Sequence, residues 1–137
     1  MLEAKDLSYR YGEDSPVLRN VSLRVADGER LALLGPSGRG KSTLALLLAG
    51  YLPLQKGTIT LDGASLPKDC YNPVQLIYQH PEKAMDPRWK VGDTLREAWA
   101  VPEELLTAIG TEPDWLTRGP HELSGGQLQR LSILRAL

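Results

Sequence analysis

Two glycine-rich segments constrain this chain more than any other feature. Gly35-Pro36-Ser37-Gly38-Arg39-Gly40-Lys41-Ser42 fits the pattern G-x-x-x-x-G-K-[ST], and Leu123-Ser124-Gly125-Gly126-Gln127 follows far downstream. From average residue usage the first pattern arises by chance in roughly half a percent of chains this long, and the second in on the order of one in several thousand. Their joint presence in this order is therefore not accidental. The first pattern demands a strand running into it and a helix leaving it. Successive backbone N–H groups at a helix N-terminus then form a concave anion site, and the glycines let the backbone approach phosphate closely. The flanks supply that context. Residues 30–34 form a short continuous apolar run, as expected of a strand buried on both faces. Residues 41–49 read as a helix apolar on almost every side, ended by Gly50 and followed by Pro53.

Further elements follow from periodicity. Residues 2–10 and 17–25 alternate apolar positions (Leu7 and Tyr9; Val21, Leu23 and Val25) across a Gly/Asp/Ser/Pro turn, which predicts two antiparallel strands. Residues 56–63 alternate and close with Asp62-Gly63, and residues 74–78 read as another strand. Beyond Pro87 the pattern turns helical: Thr94 and Glu97 fit a capping box, Pro102 a first helical position, and Gly110 a helix stop. Trp89, Trp99 and Trp115 fall in this helical insert and are expected to form its small core. Residues 125–137 place Leu128, Leu131 and Leu134 on one stripe, an amphipathic helix with Ser124 as its N-cap.

Composition closes off several classes. With 137 residues, 42% hydrophobic and 24% charged, the chain supports one packed domain but is short for a complete phosphate-loop ATPase. A formal net charge of −1 lacks the polybasic footprint of nucleic-acid binders, so neither DNA nor RNA is expected as a partner. The single cysteine, Cys70, fits a reducing compartment and the role of a small hydrophobe. No apolar run approaches the roughly 18 to 20 residues of a membrane span, and the N-terminus lacks a signal-peptide pattern. His80 and His121 have no ligand-spaced neighbours and read as ordinary polar residues.

Within the phosphate loop, Lys41 would place a point charge on the β and γ phosphates of a nucleotide and Ser42 would offer its hydroxyl to Mg²⁺, with Thr43 completing the cradle. Together the two motifs resemble the ATP-binding cassette family, the nucleotide-binding subunits of ABC transporters, over essentially the whole chain. That resemblance implies an α/β fold: a P-loop NTPase (RecA-like) core with an antiparallel β subdomain and a small helical insert. Residues 1–79 would form the β subdomain and core, 80–122 the insert with the start of the Q-loop, and 123–137 the signature motif and its helix. It also implies ATP and Mg²⁺ as cofactors and a head-to-tail dimer. There Ser124, Gly125, Gly126 and Gln127 of one subunit would face nucleotide held by Gly35, Pro36, Ser37, Gly38, Arg39, Gly40 and Lys41 of another. Tyr11 matches the family's aromatic ring that stacks on adenine, with Tyr9 the competing ring. Gln79 matches the Q-loop glutamine, which looks toward Mg²⁺ and the attacking water and couples the site to transmembrane permease subunits. The implied location is the cytoplasmic, inner face of the cell membrane.

The stretch from Gln79 to Arg88, with Val91-Gly92, is similar to the Q-loop of the dipeptide, oligopeptide and nickel importer branch, so peptides or nickel are the implied cargo. Asp86 stands where that branch usually has Asn, and the stretch from Gln79 to Leu123 is shorter than in typical members. The rival readings are a non-transport ABC ATPase, disfavoured by this Q-loop, and a nucleotide-binding fragment without turnover. Hydrolysis in the family also needs a buried strand ending in Asp and Glu, then a histidine, and the expectation is that these lie beyond Leu137. Without that strand residues 30–34 would keep exposed apolar faces, predicting poor stability or aggregation.

Overall fold

Strand β1 (Leu2–Tyr9) pairs antiparallel with β2 (Leu18–Val25), as the alternation predicts, and on its other side with β3 (Lys56–Leu61), also antiparallel. The two-residue strand β4 (Ala64–Ser65) completes a sheet of order β2-β1-β3-β4. This computed structural model describes residues 1–13, 15–67 and 71–137, so Cys70 lies outside the described residues. Asp62 and Gly63, with φ 52° and 80°, join β3 to β4 in the mirror-image turn that matches the twist of a hairpin.

Helix α1 (Lys41–Leu48) covers one face of the sheet. Its Leu44 and Leu47 meet Ala4, Leu7 and Tyr9 of β1, Leu18 of β2 and Ile59 of β3 in a single core. Gly50 ends the helix with φ 75°: its N–H donates to Leu47 O and that of Tyr51 to Leu46 O, the paired bonds of a Schellman cap.

The inward residues of β1 break strict alternation, since Ala4 and Leu7 are three apart yet both buried. A bulge reconciles them. The register slips between Ala4 and Leu7 against β2 and between Lys5 and Ser8 against β3, and Asp6 takes φ 52° with its N–H donating to Ser22 Oγ at 2.9 Å. The swollen backbone presses on β3 at Gly57, where a Cβ would lie 2.3 Å from Lys5 O.

Two expected strands do not form. Neither residues 30–34 nor residues 74–78 are paired into a sheet among the described residues; Leu31, Leu33 and Leu34 are exposed, Leu34 to 92%. Apolar runs of this kind become strands only where neighbouring strands take up their N–H and C=O groups, and no such ladder is present on either.

The chain divides into two compact units, Met1–Leu76 and Ile77–Leu137. The second is helical: α2 (Val91–Ala98), α3 (Glu103–Ala108) and α4 (Gly125–Ala136), with proline-led 3₁₀ turns at Pro81–Ala84, Pro113–Thr117 and Pro120–Glu122. Helix α2 begins three residues before the expected capping box. Lys90 is its N-cap, and Thr94 is buried inside it with an unpartnered hydroxyl. Burial of Val91 and Leu95 in the core sets that boundary, overriding the local Thr94/Glu97 signal. Helix α3 follows Pro102, which is the N-cap rather than the first helical residue, and ends at Gly110 (φ 71°) in a second Schellman cap.

Leu128, Leu131 and Leu134 of α4 pack with Met85, Val91, Leu95, Trp115 and Leu123. Of the three tryptophans, Trp115 is core, Trp99 is half-buried with its indole N–H on Leu134 O at 3.1 Å, and Trp89 is exposed. Leu131 is fully buried, and Leu131→Ala should cost about 2–5 kcal/mol through lost transfer energy and a residual cavity. Chemical denaturation would show this as a lower midpoint at unchanged slope.

Candidate nucleotide-binding site

The phosphate-loop motif lies at the N-terminus of α1. Gly35, Gly38 and Gly40 have φ 149°, 79° and 84°, which side chains resist, so the loop's path depends on glycine. Gly40 is doubly constrained, because a Cβ there would meet Leu18 Cδ2 at 2.8 Å and Val17 O at 3.1 Å. It is the N-cap of α1 and brings no side chain to cap the helix's first N–H groups. Lys41 folds back over the loop, its ammonium donating to Gly35 O and Pro36 O at 2.7 Å each. Pro36, Ser37, Arg39 and Ser42 are exposed around it. The result is a cationic group and a helix N-terminus facing the same open loop, a combination suited to a polyphosphate.

Thr43 is buried, and its hydroxyl lies 3.3 Å from that of Tyr11. This ties the ring of Tyr11 to the first turn of α1. Tyr11 also meets Tyr9 edge-on, with centroids 5.1 Å apart at 82°. The two tyrosines differ in availability: Tyr9 is 6% exposed and part of the core, whereas Tyr11 is 44% exposed. Only Tyr11 of this pair offers a face on which a flat base could stack.

In the second unit, Ser124 caps α4 as expected, its Oγ accepting from Gln127 N at 3.3 Å while Gln127 Oε1 accepts from Ser124 N at 2.8 Å. Gln127 is thus one half of a capping box. Gly125 and Gly126 have neither a positive φ nor any atom within 4 Å of a Cβ built on them. The chain's own packing does not require glycine there. Gln79 is exposed at a bend just before the Pro81–Ala84 turn.

The chain lacks any cluster of three or more His, Cys, Asp or Glu that could hold a metal among the described residues. Mg²⁺ usually keeps several waters and binds through few side chains and the substrate phosphates, and Ser42, exposed in the first turn of α1, is a hydroxyl that could serve it. His80 lies 3.3 Å from Glu82 at the surface.

Asp86 departs in consequence as well as in identity. Its Oδ1 accepts from Arg88 N at 2.9 Å and Arg88 Nε at 3.0 Å, and its Oδ2 from Arg88 Nη2 at 2.6 Å. The guanidinium and amide of Arg88 lower the Asp86 carboxyl to about 2. A depressed carboxylate contributes stability above its unfolded value of 3.8 and loses it as pH falls through the folded value. The Asp86–Arg88 turn should therefore persist at pH 4 and open near pH 2. Carboxyl-carbon NMR titration of Asp86 checks this, and Arg88→Gln should move the midpoint back toward 3.8.

Comparison with known proteins identifies the family. The family model for ABC transporters matches residues 18–137. The chain belongs to the ABC transporter family, within its ATP-binding cassettes. It is 36% identical to the nickel import system ATP-binding protein NikE of Staphylococcus aureus (strain MSSA476), over all of this chain and 61% of that protein. The S. aureus strain N315 protein of the same name is 35% identical with the same coverage. The chain thus spans less than two thirds of the curated relatives it matches. An ATP-binding cassette solved as a dimer in a post-hydrolysis state with ADP and Pi superposes with TM-score 0.77 at 25% identity, over 100% of this chain and 69% of that one. The cbiO1 cassette of Clostridium perfringens, part of the cbiONQ transporter complex, shares the fold with TM-score 0.71 at 23% identity, over 98% and 60%.

Sequence reasoning overlooked the Tyr11–Thr43 contact, the Asp86–Arg88 fork and a hydrogen bond from Arg135 Nη1 to Ala84 O at 2.6 Å. The Gln127 cap was readable, since Ser-x-x-Gln before a helix is a capping-box pattern.

Proposed function

We propose that this chain is the ATP-binding part of an ABC importer subunit that binds MgATP and, in a head-to-tail dimer, hydrolyses it to drive nickel uptake through membrane permease subunits. The observation that carries the reading is the loop at α1, where three positive-φ glycines and the Lys41 ammonium converge on one exposed helix N-terminus. Gly35 through Lys41 would hold the phosphates, Ser42 would offer its hydroxyl to the magnesium ion, and Tyr11 would stack on the base. When bound, Mg²⁺ supplies charge neutralisation across the β and γ phosphates. The open space at Gly125 and Gly126 suits a helix N-terminus that closes on the γ-phosphate of a partner's nucleotide. Within the cassette we assign residues 1–79 to the β subdomain and core, 80–122 to the helical insert and 123–137 to the signature helix. No helix among the described residues is long and apolar enough to cross a membrane. Attachment through permease subunits at the cytoplasmic face follows from the importer assignment.

Nickel is favoured over peptides because the relatives at 35–36% identity are named nickel import proteins. Uptake of radioactive nickel by cells lacking the gene tests this. Accumulation should fall and return with the wild-type gene but not with a Lys41→Ala copy. Undiminished nickel uptake together with lost growth on oligopeptides would assign peptide cargo instead.

A further inference from the structure

The signature helix α4 is tied down along its length. Leu131 and Leu134 are fully buried, Arg130 donates to Gly110 O at 3.1 Å and lies 6.0 Å over the Trp115 ring, and Trp99 donates to Leu134 O. At about 1.5 Å per residue its 12 residues form a stiff bar roughly 18 Å long. One end of the bar is the Ser124 cap. The other carries Arg135, whose guanidinium is half-buried and donates at 2.6 Å to the carbonyl of Ala84.

Ala84 closes the 3₁₀ turn that follows Gln79. That turn is held from other sides too: Pro81 and Met85 are buried, Lys83 N donates to His80 O at 3.1 Å, and the Asp86–Arg88 fork stiffens what comes next. Gln79 itself is exposed, so its place depends on this anchored turn immediately downstream. A guanidinium suits the link because it is donor-only, always charged and rigid, and a carbonyl at a turn's end needs a donor.

We propose that Arg135 is a positioning residue that clamps the turn after Gln79 to the C-terminal end of the signature helix, so that Gln79 and Ser124-Gly125-Gly126 keep a fixed mutual register. The clamp's role in turnover rests on the nucleotide-site reading above; the clamp itself does not.

The test uses the full-length protein. Arg135→Gln should raise hydrogen exchange at the Lys83 amide while leaving α1 amides unchanged. It should also lower kcat for MgATP about tenfold, with KM within about twofold, since misplacing a reactive group costs rate more than binding. Combined with Gln79→Ala, it should add almost no further loss, because both act through one group. Wild-type exchange at Lys83, wild-type kcat, or losses that simply multiply with those of Gln79→Ala would each overturn the proposal. If Arg135→Gln does not fold, Arg135→Lys takes its place under the same criteria, since it keeps the charge but loses the fork. If the wild-type protein neither binds nor hydrolyses MgATP, the functional reading fails, and exchange at Lys83 still decides whether the clamp exists.

Discussion

Lys41→Ala should weaken binding of a non-hydrolysable MgATP analogue by at least about 100-fold. Hydrogen bonds to charged groups contribute about 1.5–3 kcal/mol each, and loss of a contact to two phosphates approaches 3 kcal/mol, or two decades in Kd. The fold should survive. The ammonium's bonds to Gly35 O and Pro36 O are exposed, so their removal leaves carbonyls that water can satisfy. Lys41→Arg should not restore affinity fully, because a planar fork does not replace a compact point charge in a close-fitting loop. Calorimetric titration, with thermal melting as the control for folding, measures both. An unchanged Kd at unchanged melting temperature would remove Lys41 from the site.

A large effect on stability is expected at Gly57, outside both glycine-rich motifs. A Cβ there would sit 2.3 Å from Lys5 O and 2.8 Å from the carbonyl carbon of Asp6, both backbone atoms that cannot rotate away. The position also has φ 92°, which adds strain for any side chain. Gly57→Ala should therefore destabilise by about 3 kcal/mol or more, lowering the melting temperature by roughly 10 °C. Gly63→Ala is the comparison. It has φ 80° but no atom within 4 Å of the added methyl, so only the conformational cost of about 1–2 kcal/mol applies. Equal losses in the two variants would show that steric contact with the β1 bulge contributes nothing.

Both predictions concern glycines and their surroundings, yet they differ in how far they could be read from the chain. The phosphate loop was legible because its requirements are local: glycine for positive φ, a helix immediately after, a lysine at its first turn. The same holds for the helix stops at Gly50 and Gly110, the Ser124 cap and the Asp62-Gly63 turn, each set by residues within a few positions. The leucine stripe of α4 was legible because helical periodicity places Leu128, Leu131 and Leu134 on one face whatever lies opposite. The sequence put Tyr11 forward as the stacking ring with Tyr9 as its competitor, and burial sets Tyr9 in the core and Tyr11 at the surface.

By itself the sequence determined the chain's local punctuation, its β-then-helix order and the backbone form of its two glycine motifs, because each depends on φ preference, periodicity or a side chain within one turn. Tertiary structure alone decided the bulge that brings Ala4 and Leu7 to one face, the four-residue earlier start of α2, and the Arg135 contact with Ala84. It also decided that residues 30–34 and 74–78, apolar enough for strands, join no sheet among the described residues. The physical reason is common to these cases. A ladder bond, a core contact or a guanidinium–carbonyl bond forms between groups far apart along the chain, and no local preference encodes which distant partner arrives.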